Sequence, residues 1–439
     1  MKDNSCKLKL ADSVFYTERC GKHLFLQPSV PDWLVVNQNG AILLSRCDGS
    51  ATLSEITASN SAFGSILPQV EALFSEALNR GILVDSTSDS NGSPETAPPA
   101  EPRLNKPVLG SVYIKLTNQC NLHCNYCYAQ SGKPSDVLSL GDLESIAKDV
   151  ALISRTVEYV LSGGEPLLNP LALDFAEMVK KSGNTVHILT NGTLIDEKNA
   201  ERISKFADMV KISLDGSSED VHSLTRGKNN LEKVIRAIDL LINLKANVIV
   251  AMTVTRTNRS DIPNMVSRFG SRLALQPLFK AGRGQDKDDL SLTGLEYYEA
   301  LASVDGVAPM GMIANTLESI RGRGVKRCAL AEREISISET GDVYPCQLLH
   351  AEEFKAGNIR EISLAEIYYE SPVFNRLRGI TVDTLGKCST CQLRYICGGA
   401  CRARDFYEVG SIEEVGEFCE YEREAFINGI FESVELQPI

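Results

Sequence analysis

From Val108 onward, short apolar runs alternate with longer stretches in which apolar residues recur every three or four positions. The short runs are Ser111–Leu116, Tyr159–Leu161, Thr185–Leu189, Met209–Leu214, Asn247–Val254 and Leu273–Leu275. Bounded by polar or glycine-bearing segments, they predict strands. Leu140–Ser154, Leu173–Lys181 and Leu231–Leu244 predict amphipathic helices between them. Six such units in series imply a parallel sheet with right-handed crossovers. The expected fold class is α/β, a partial (β/α)6 TIM-type barrel over residues 108–319. Sheets of this kind present functional groups at the carboxyl ends of their strands.

The pattern differs on either side. Ser86–Pro107 is rich in Ser, Pro and Gly and nearly lacks large apolar residues, so it predicts a flexible linker, 86–107. Before it, residues 1–85 mix β-favouring runs at His23–Gln27 and Trp33–Val36 with helical patterns at Gly40–Arg46, Leu53–Ala58 and Leu67–Arg80. Thr52 and Glu55 suit a capping box, and Gly81 a helix end. Two extended segments and three helices suit a winged-helix-like domain. Acidic residues outnumber basic ones there, which favours peptide over nucleic acid as its ligand. Residues 320–439 show little long helix and many cysteines, and read as a C-terminal cysteine-rich domain held by metal more than by an apolar core.

The net charge of −12 over 439 residues argues against nucleic-acid binding. No apolar run reaches 18 residues, and Met1–Leu10 lacks the apolar centre of a signal peptide, so a cytoplasmic, non-membrane protein is expected. Thirteen cysteines are then a pointed feature, because a reducing compartment turns clustered cysteines toward metals or catalysis. Cys6, Cys20 and Cys47 have no ligand spacing and read as ordinary thiols. Cys120, Cys124 and Cys127 stand together, and seven more fall between Cys328 and Cys419.

Cys120-x3-Cys124-x2-Cys127 directly follows the first predicted strand of the series. Three thiolates in one loop can hold three irons of a [4Fe–4S] cube and leave the fourth open. Tyr126 can pack over such a group. A zinc loop with His123 as a remote ligand is the alternative, although zinc favours paired C-x-x-C. Ser162-Gly163-Gly164-Glu165-Pro166 follows the second strand, where adjacent glycines let backbone approach a ligand and Glu165 can accept from an ammonium. Thr190-Asn191-Gly192 and Ser213-Leu214-Asp215-Gly216 end the next two strands, and Gln276-Pro277 ends the sixth. Asp215 suits a turn cap equally well.

These segments resemble the radical SAM (S-adenosylmethionine) superfamily. The resemblance covers C-N-L-H-C-N-Y-C, the GGEP segment and the S-x-D-G segment. It implies that a cluster on Cys120, Cys124 and Cys127 binds SAM, and that one electron cleaves SAM to a 5′-deoxyadenosyl radical that abstracts hydrogen. It implies SAM contacts from Gly163, Gly164, Glu165, Asn191 and Ser213, with Asp215 and Gln276 lining the same mouth and Arg226 pairing the SAM carboxylate.

The C-terminal spacing is Gly341-x4-Cys346, then Cys388-x2-Cys391-x5-Cys397-x3-Cys401, then Cys419. It resembles the SPASM extension of radical SAM enzymes that act on peptides and proteins. That resemblance implies two auxiliary clusters, one on Cys388, Cys391, Cys397 and Cys419 and one on Cys328, Cys346 and Cys401. The total is then three [4Fe–4S] clusters. Full family members carry a further cysteine shortly before the position of Cys328; its lack here leaves an iron open to a substrate thiolate. His23 to Val84 resembles the pyrroloquinoline-quinone peptide chaperone family, whose units hold leader peptides by β-augmentation.

Together these imply a maturase of ribosomally made peptides that forms a thioether or carbon–carbon crosslink. Its expected partners are a precursor peptide and an electron donor such as flavodoxin or ferredoxin. Sulfatase maturation, tetrapyrrole modification and a non-catalytic peptide-binding iron–sulfur or zinc protein are the alternatives.

Overall fold

The computed structural model describes residues 6–58, 66–87, 107–132, 136–304, 317–434 and 436. The expected linker therefore lies outside the described residues apart from its ends.

The N-terminal unit carries six strands: β1 (Lys7–Leu10), β2 (Phe15–Arg19), β3 (Lys22–Gln27), β4 (Asp32–Val36), β5 (Asp48–Thr52) and β6 (Leu83–Asp85). They form two three-stranded sheets, ordered β5-β1-β6 and β2-β3-β4. This is more strand than the two segments expected. The reason is local: β1, β2 and β5 mix polar residues with few apolar ones and are held by pairing to neighbours, not by their own pattern. The three helices stand where expected, and Thr52 and Glu55 cap each other reciprocally.

The six-strand series is β7 (Ser111–Lys115), β8 (Glu158–Ser162), β9 (Thr185–Thr190), β10 (Met209–Ser213), β11 (Val248–Val254) and β12 (Leu273–Pro277). Each pairs in parallel with the next. Because side chains alternate along a strand, Val112, Ile114, Tyr159, Leu161, Val186, Ile188, Val210 and Ile212 share the face toward the helices. There they join Leu143, Ile146, Phe175, Val179, Ile203, Val234, Ile238 and Leu241 in one buried cluster. The other face carries Tyr113, Lys115, His187, Lys211 and Ser213 beside Val160, Leu189 and Ala251, so the barrel interior holds polar groups among apolar ones.

The sheet then continues. β13 (Glu334–Ile337) runs parallel to β7, followed by antiparallel β14 (Asp342–Tyr344) and β15 (Gly357–Asn358). The cysteine-rich part is thus welded to the barrel beside the strand that leads into Cys120.

That part differs from expectation. It holds six helices among its described residues, including Arg402–Val409 and Phe418–Glu432. Leu364, Ile367, Tyr368, Phe374 and Leu377 are buried in the barrel's own cluster. An apolar core, not metal alone, holds it. Its helices were hidden because most span under two turns, too short for a period to show. Among the described residues, no helix is long and apolar enough to cross a membrane.

Candidate active site

The loop after β7 carries Cys120, Cys124 and Cys127 and is pinned from several sides. Gly132 N–H donates to Asn118 O at 2.8 Å, and Asn125 N–H to Thr225 O at 3.1 Å. Arg283, beyond β12, donates to Cys124 O at 2.8 Å and Ser131 O at 2.6 Å, while its backbone N–H reaches Cys127 O at 2.9 Å. Sequence reasoning missed Arg283; the signal was the Gly282-Arg283-Gly284 turn, tight enough that a Cβ on Gly282 would lie 2.3 Å from Tyr128 O.

Burial pushes Cys124 up to about 11 against the pull of Arg226, and repulsion from Cys127 and Cys120 adds to it. Burial also raises Cys120. Two N–H groups aim at these sulfurs: Asn191 Nδ2 at 3.9 Å from Cys120 Sγ and Arg226 Nη1 at 3.9 Å from Cys124 Sγ.

The glycine pair has a different task from ligand approach. A Cβ on Gly163 would stand 2.3 Å from Thr117 O, and one on Gly164 2.2 Å from Gln119 O. The bare backbone lets Gly164 N–H bond Thr117 O and Glu165 N–H bond Gln119 O, both at 2.8 Å. These glycines seat the cysteine loop. Glu165 is fully buried and accepts from Thr190 Oγ1 and Asn191 N–H at 2.8 Å and from Leu167 N–H at 3.2 Å. It locks one strand end to the next.

Asp215, also fully buried, accepts from Tyr126 Oη at 2.5 Å, Thr225 Oγ1 at 2.8 Å and Thr253 N–H at 3.0 Å. Arg226 Nε is 2.9 Å from the same carboxylate. His222 and Asn230, both buried, brace this knot: Asp215 N–H reaches His222 Nδ1 at 3.2 Å, and the ring's other nitrogen meets Asn230 at 2.6 Å. Ser213 ends β10 opposite Ala251. Gln276 lies exposed on edge strand β12 and does not join the network among the described residues.

The C-terminal thiols fall into two electrostatic groups. Cys346, pushed up by burial, is also repelled by Cys328 and Cys401. Cys388 feels Cys419 and Cys391, and Cys397 feels Cys419. Glu334, raised to about 7 by burial, repels both Cys328 and Cys346. Lys115, buried inside the barrel and lowered to about 8 by that burial, senses both Cys127 and Cys346. Its Nζ meets His350 Nδ1 at 3.2 Å. The alternation rule had given neither Glu334 nor Lys115 a role.

The residues present fit an iron–sulfur group at the first loop. The donor set is three soft thiols, all free, with two N–H donors facing two of them. Asn125 Oδ1 and Ser162 Oγ, buried in and beside the loop, have no hydrogen-bond partner among the described residues. No three His, Cys, Asp or Glu side chains among the described residues converge as a single-ion site requires. An iron–sulfur cube takes one thiol per iron, so three separate thiols in one loop suit it.

A parallel sheet with a thiol trio at the end of its first strand, extended by further thiol groups, defines an iron–sulfur enzyme of the SAM-cleaving kind. The radical SAM superfamily model matches residues 114–269, and an iron-sulfur cluster-binding domain, SPASM, matches residues 328–392. The chain is 30% identical to mycofactocin maturase MftC of Mycobacterium tuberculosis over 322 residues, 67% of this chain and 78% of that protein. It is 26% identical to the AdoMet-dependent heme synthase of Methanosarcina barkeri, over 70% of this chain and 95% of that one. Streptococcus suis SuiB bound to precursor peptide SuiA shares the fold, with TM-score 0.57 at 16% identity, across 94% of this chain and 100% of that one. The chain belongs to the radical SAM superfamily; it is a radical SAM enzyme that uses SAM and [4Fe–4S] clusters, SPASM auxiliary clusters among them.

Proposed function

We propose that this enzyme matures a ribosomally made peptide. In this reading residues 1–85 hold the precursor, 86–107 link, 108–319 bind SAM and 320–439 carry the auxiliary clusters. Cys120, Cys124 and Cys127 hold the SAM cluster. Cys388, Cys391, Cys397 and Cys419 hold one auxiliary cluster and Cys328, Cys346 and Cys401 the other, three in all. When bound, SAM supplies a hydrogen-abstracting radical after one-electron reduction by a flavodoxin- or ferredoxin-type donor. The chain's own residues orient the chemistry. Asn191 and Arg226 face the thiol loop, Arg283 clamps it, and the barrel interior with Lys115 lies between the loop and Cys346. Thioether or carbon–carbon crosslinking is the reaction expected, the thioether if a substrate thiolate takes the iron that Cys328, Cys346 and Cys401 leave open.

The observation that carries this is the placement of Cys346 within electrostatic reach of Tyr113 and Lys115 on β7, with Lys115 also sensing Cys127. A substrate held in the barrel then stands between two thiol groups. The similarity to both MftC and the heme synthase keeps tetrapyrrole modification as a second reading. The two-sheet N-terminal unit, which a small tetrapyrrole does not require, favours a peptide.

The test is anaerobic reconstitution with SAM and reductant, reading 5′-deoxyadenosine. Cys120→Ala, Cys124→Ala and Cys127→Ala should each abolish it, and Cys388→Ala or Cys391→Ala should spare part of it. If a tetrapyrrole stimulates turnover and peptides encoded beside the gene do not, the peptide assignment is wrong.

A further inference from the structure

We propose that Arg226 and Asn191 set the reduction potential of the cluster on Cys120, Cys124 and Cys127, by donating N–H groups to two of its three cysteine thiolates. The inference rests on the reading above that these thiols hold that cluster. Both are positioning residues in this sense: they act through the thiolates.

The geometry is over-determined on the arginine side. Arg226 Nη1 faces Cys124 Sγ at 3.9 Å while Nε holds Asp215 at 2.9 Å. Asp215 cannot turn away, because Tyr126 Oη, Thr225 Oγ1 and Thr253 N–H occupy it at 2.5, 2.8 and 3.0 Å. The Tyr126 ring lies under the guanidinium at 5.6 Å. The guanidinium thus faces Cys124 with one nitrogen and is ion-paired to Asp215 through another.

Asn191 is held as firmly. Its Oδ1 accepts from Thr193 N–H at 2.9 Å and Thr193 Oγ1 at 2.6 Å, and its backbone N–H is on Glu165. With the oxygen so engaged, Nδ2 is left to face Cys120 Sγ at 3.9 Å and Asn121 Oδ1 at 2.9 Å.

Reduction adds one negative charge to the cluster. Hydrogen bonds to its sulfurs and a nearby cation favour the more negative state, which raises the potential. The effect is strong here because Arg226 is only 9% exposed and Asp215 not at all. Asp215 offsets part of the cation's charge but fixes where it points. Arg226 should therefore contribute more than the neutral Asn191.

The experiment is an EPR-monitored redox titration of the reconstituted full chain with dithionite. The first cluster is identified as the signal that adding SAM perturbs. Arg226→Met should lower the reduced-to-oxidised ratio of that signal about tenfold at a fixed potential, equivalent to ~59 mV for one electron. Arg226→Lys should recover part of the loss, and Asn191→Ala should shift it in the same direction by less. The signals that SAM leaves unperturbed should keep their midpoints. Should Arg226→Met retain no iron, Arg226→Lys and Asn191→Ala carry the comparison. A SAM-responsive signal whose midpoint is unmoved in the variants overturns the inference. Wild-type protein with iron but no SAM-responsive signal overturns instead the assignment of the cluster to this loop.

Discussion

Tyr126 and Arg226 meet on one oxygen of Asp215: the phenol donates to Oδ2 at 2.5 Å, and the guanidinium Nε lies 2.9 Å from the same atom. The aromatic position of the cysteine motif is thereby tied to the S-x-D-G segment three strands away. Asp215→Asn would leave a buried guanidinium without its counter-charge, a change that costs ~3–5 kcal/mol. Tyr126→Phe removes one hydrogen bond and leaves the ion pair, costing about 1–2 kcal/mol. Thermal unfolding under anaerobic conditions should rank Asp215→Asn well below Tyr126→Phe. Equal losses would mean that the ion pair does not organise the knot.

The glycine pair makes a second prediction. At Gly164 an added Cβ meets Gln119 O at 2.2 Å, a backbone atom that cannot swing away without moving the cysteine loop. At Gly183, on the far side of the barrel, nothing lies within 4 Å, and only the positive φ of 84° opposes a side chain. Gly164→Ala should abolish iron loading at the first loop, while Gly183→Ala should load normally and lose ~1 kcal/mol of stability. Normal SAM cleavage by Gly164→Ala would show that the loop is not seated by this contact.

Much of this was legible in the sequence, for reasons the residues make plain. Val112, Ile114, Val210 and Ile212 pack against helices that announce themselves by period, so the six parallel strands could be placed nearly to the residue. The cysteines were legible because their spacing is local. What stayed hidden is what depends on partners far along the chain. That Glu165 is bonded by Thr190 and Asn191, on the next strand end, could not be read from its own segment. Nothing in its own segment shows that Lys115 is buried against His350, 235 residues on. Arg283 lies more than 150 residues from the loop it clamps.

Glu408 supplies a pH prediction. Its side chain is 14% exposed, its nearest cation is Arg404 at 3.8 Å, and Oε2 has no hydrogen-bond partner among the described residues. Burial raises its carboxyl to about 7, with Asp405 and Glu417 adding repulsion. The folded state therefore holds the proton more tightly than the unfolded chain, where Glu titrates near ~4.3. Stability from this group is fully present below that value, falls as pH rises to about 7, and is flat above it. Glu408→Gln should be nearly neutral at pH 4 and stabilising by on the order of 2 kcal/mol at pH 8, measured by chemical denaturation. A gain that is the same at both pH values would remove Glu408 from the account.

The N-terminal sheet has two working faces, and the single tryptophan of the chain reports on one of them. By the alternation of a strand, Phe25, Leu34 and Val36 turn toward the unit's own helices, while Leu24, Leu26, Trp33 and Val35 turn the other way. The second set packs on Ile320, Leu393, Ile396, Ile427, Ile430 and Phe431 of the cysteine-rich part and on Leu317 just before it. Arg321 lies over the Trp33 ring at 4.7 Å and bonds Asp32 at 2.8 Å, closing the edge of the contact. Trp33 is only 2% exposed, so its emission should be blue. Ile430→Asp would set a charge against this apolar face and should part the two units. The result expected is a red shift of Trp33 fluorescence with the first cluster still loaded, since Ile430 belongs to the apolar cluster under the N-terminal sheet and not to that of the barrel. Phe25→Ala, on the other face, should loosen the N-terminal helices and leave the emission blue. If both variants shift the emission alike, the sheet is not the layer that joins the N-terminal unit to the cysteine-rich part.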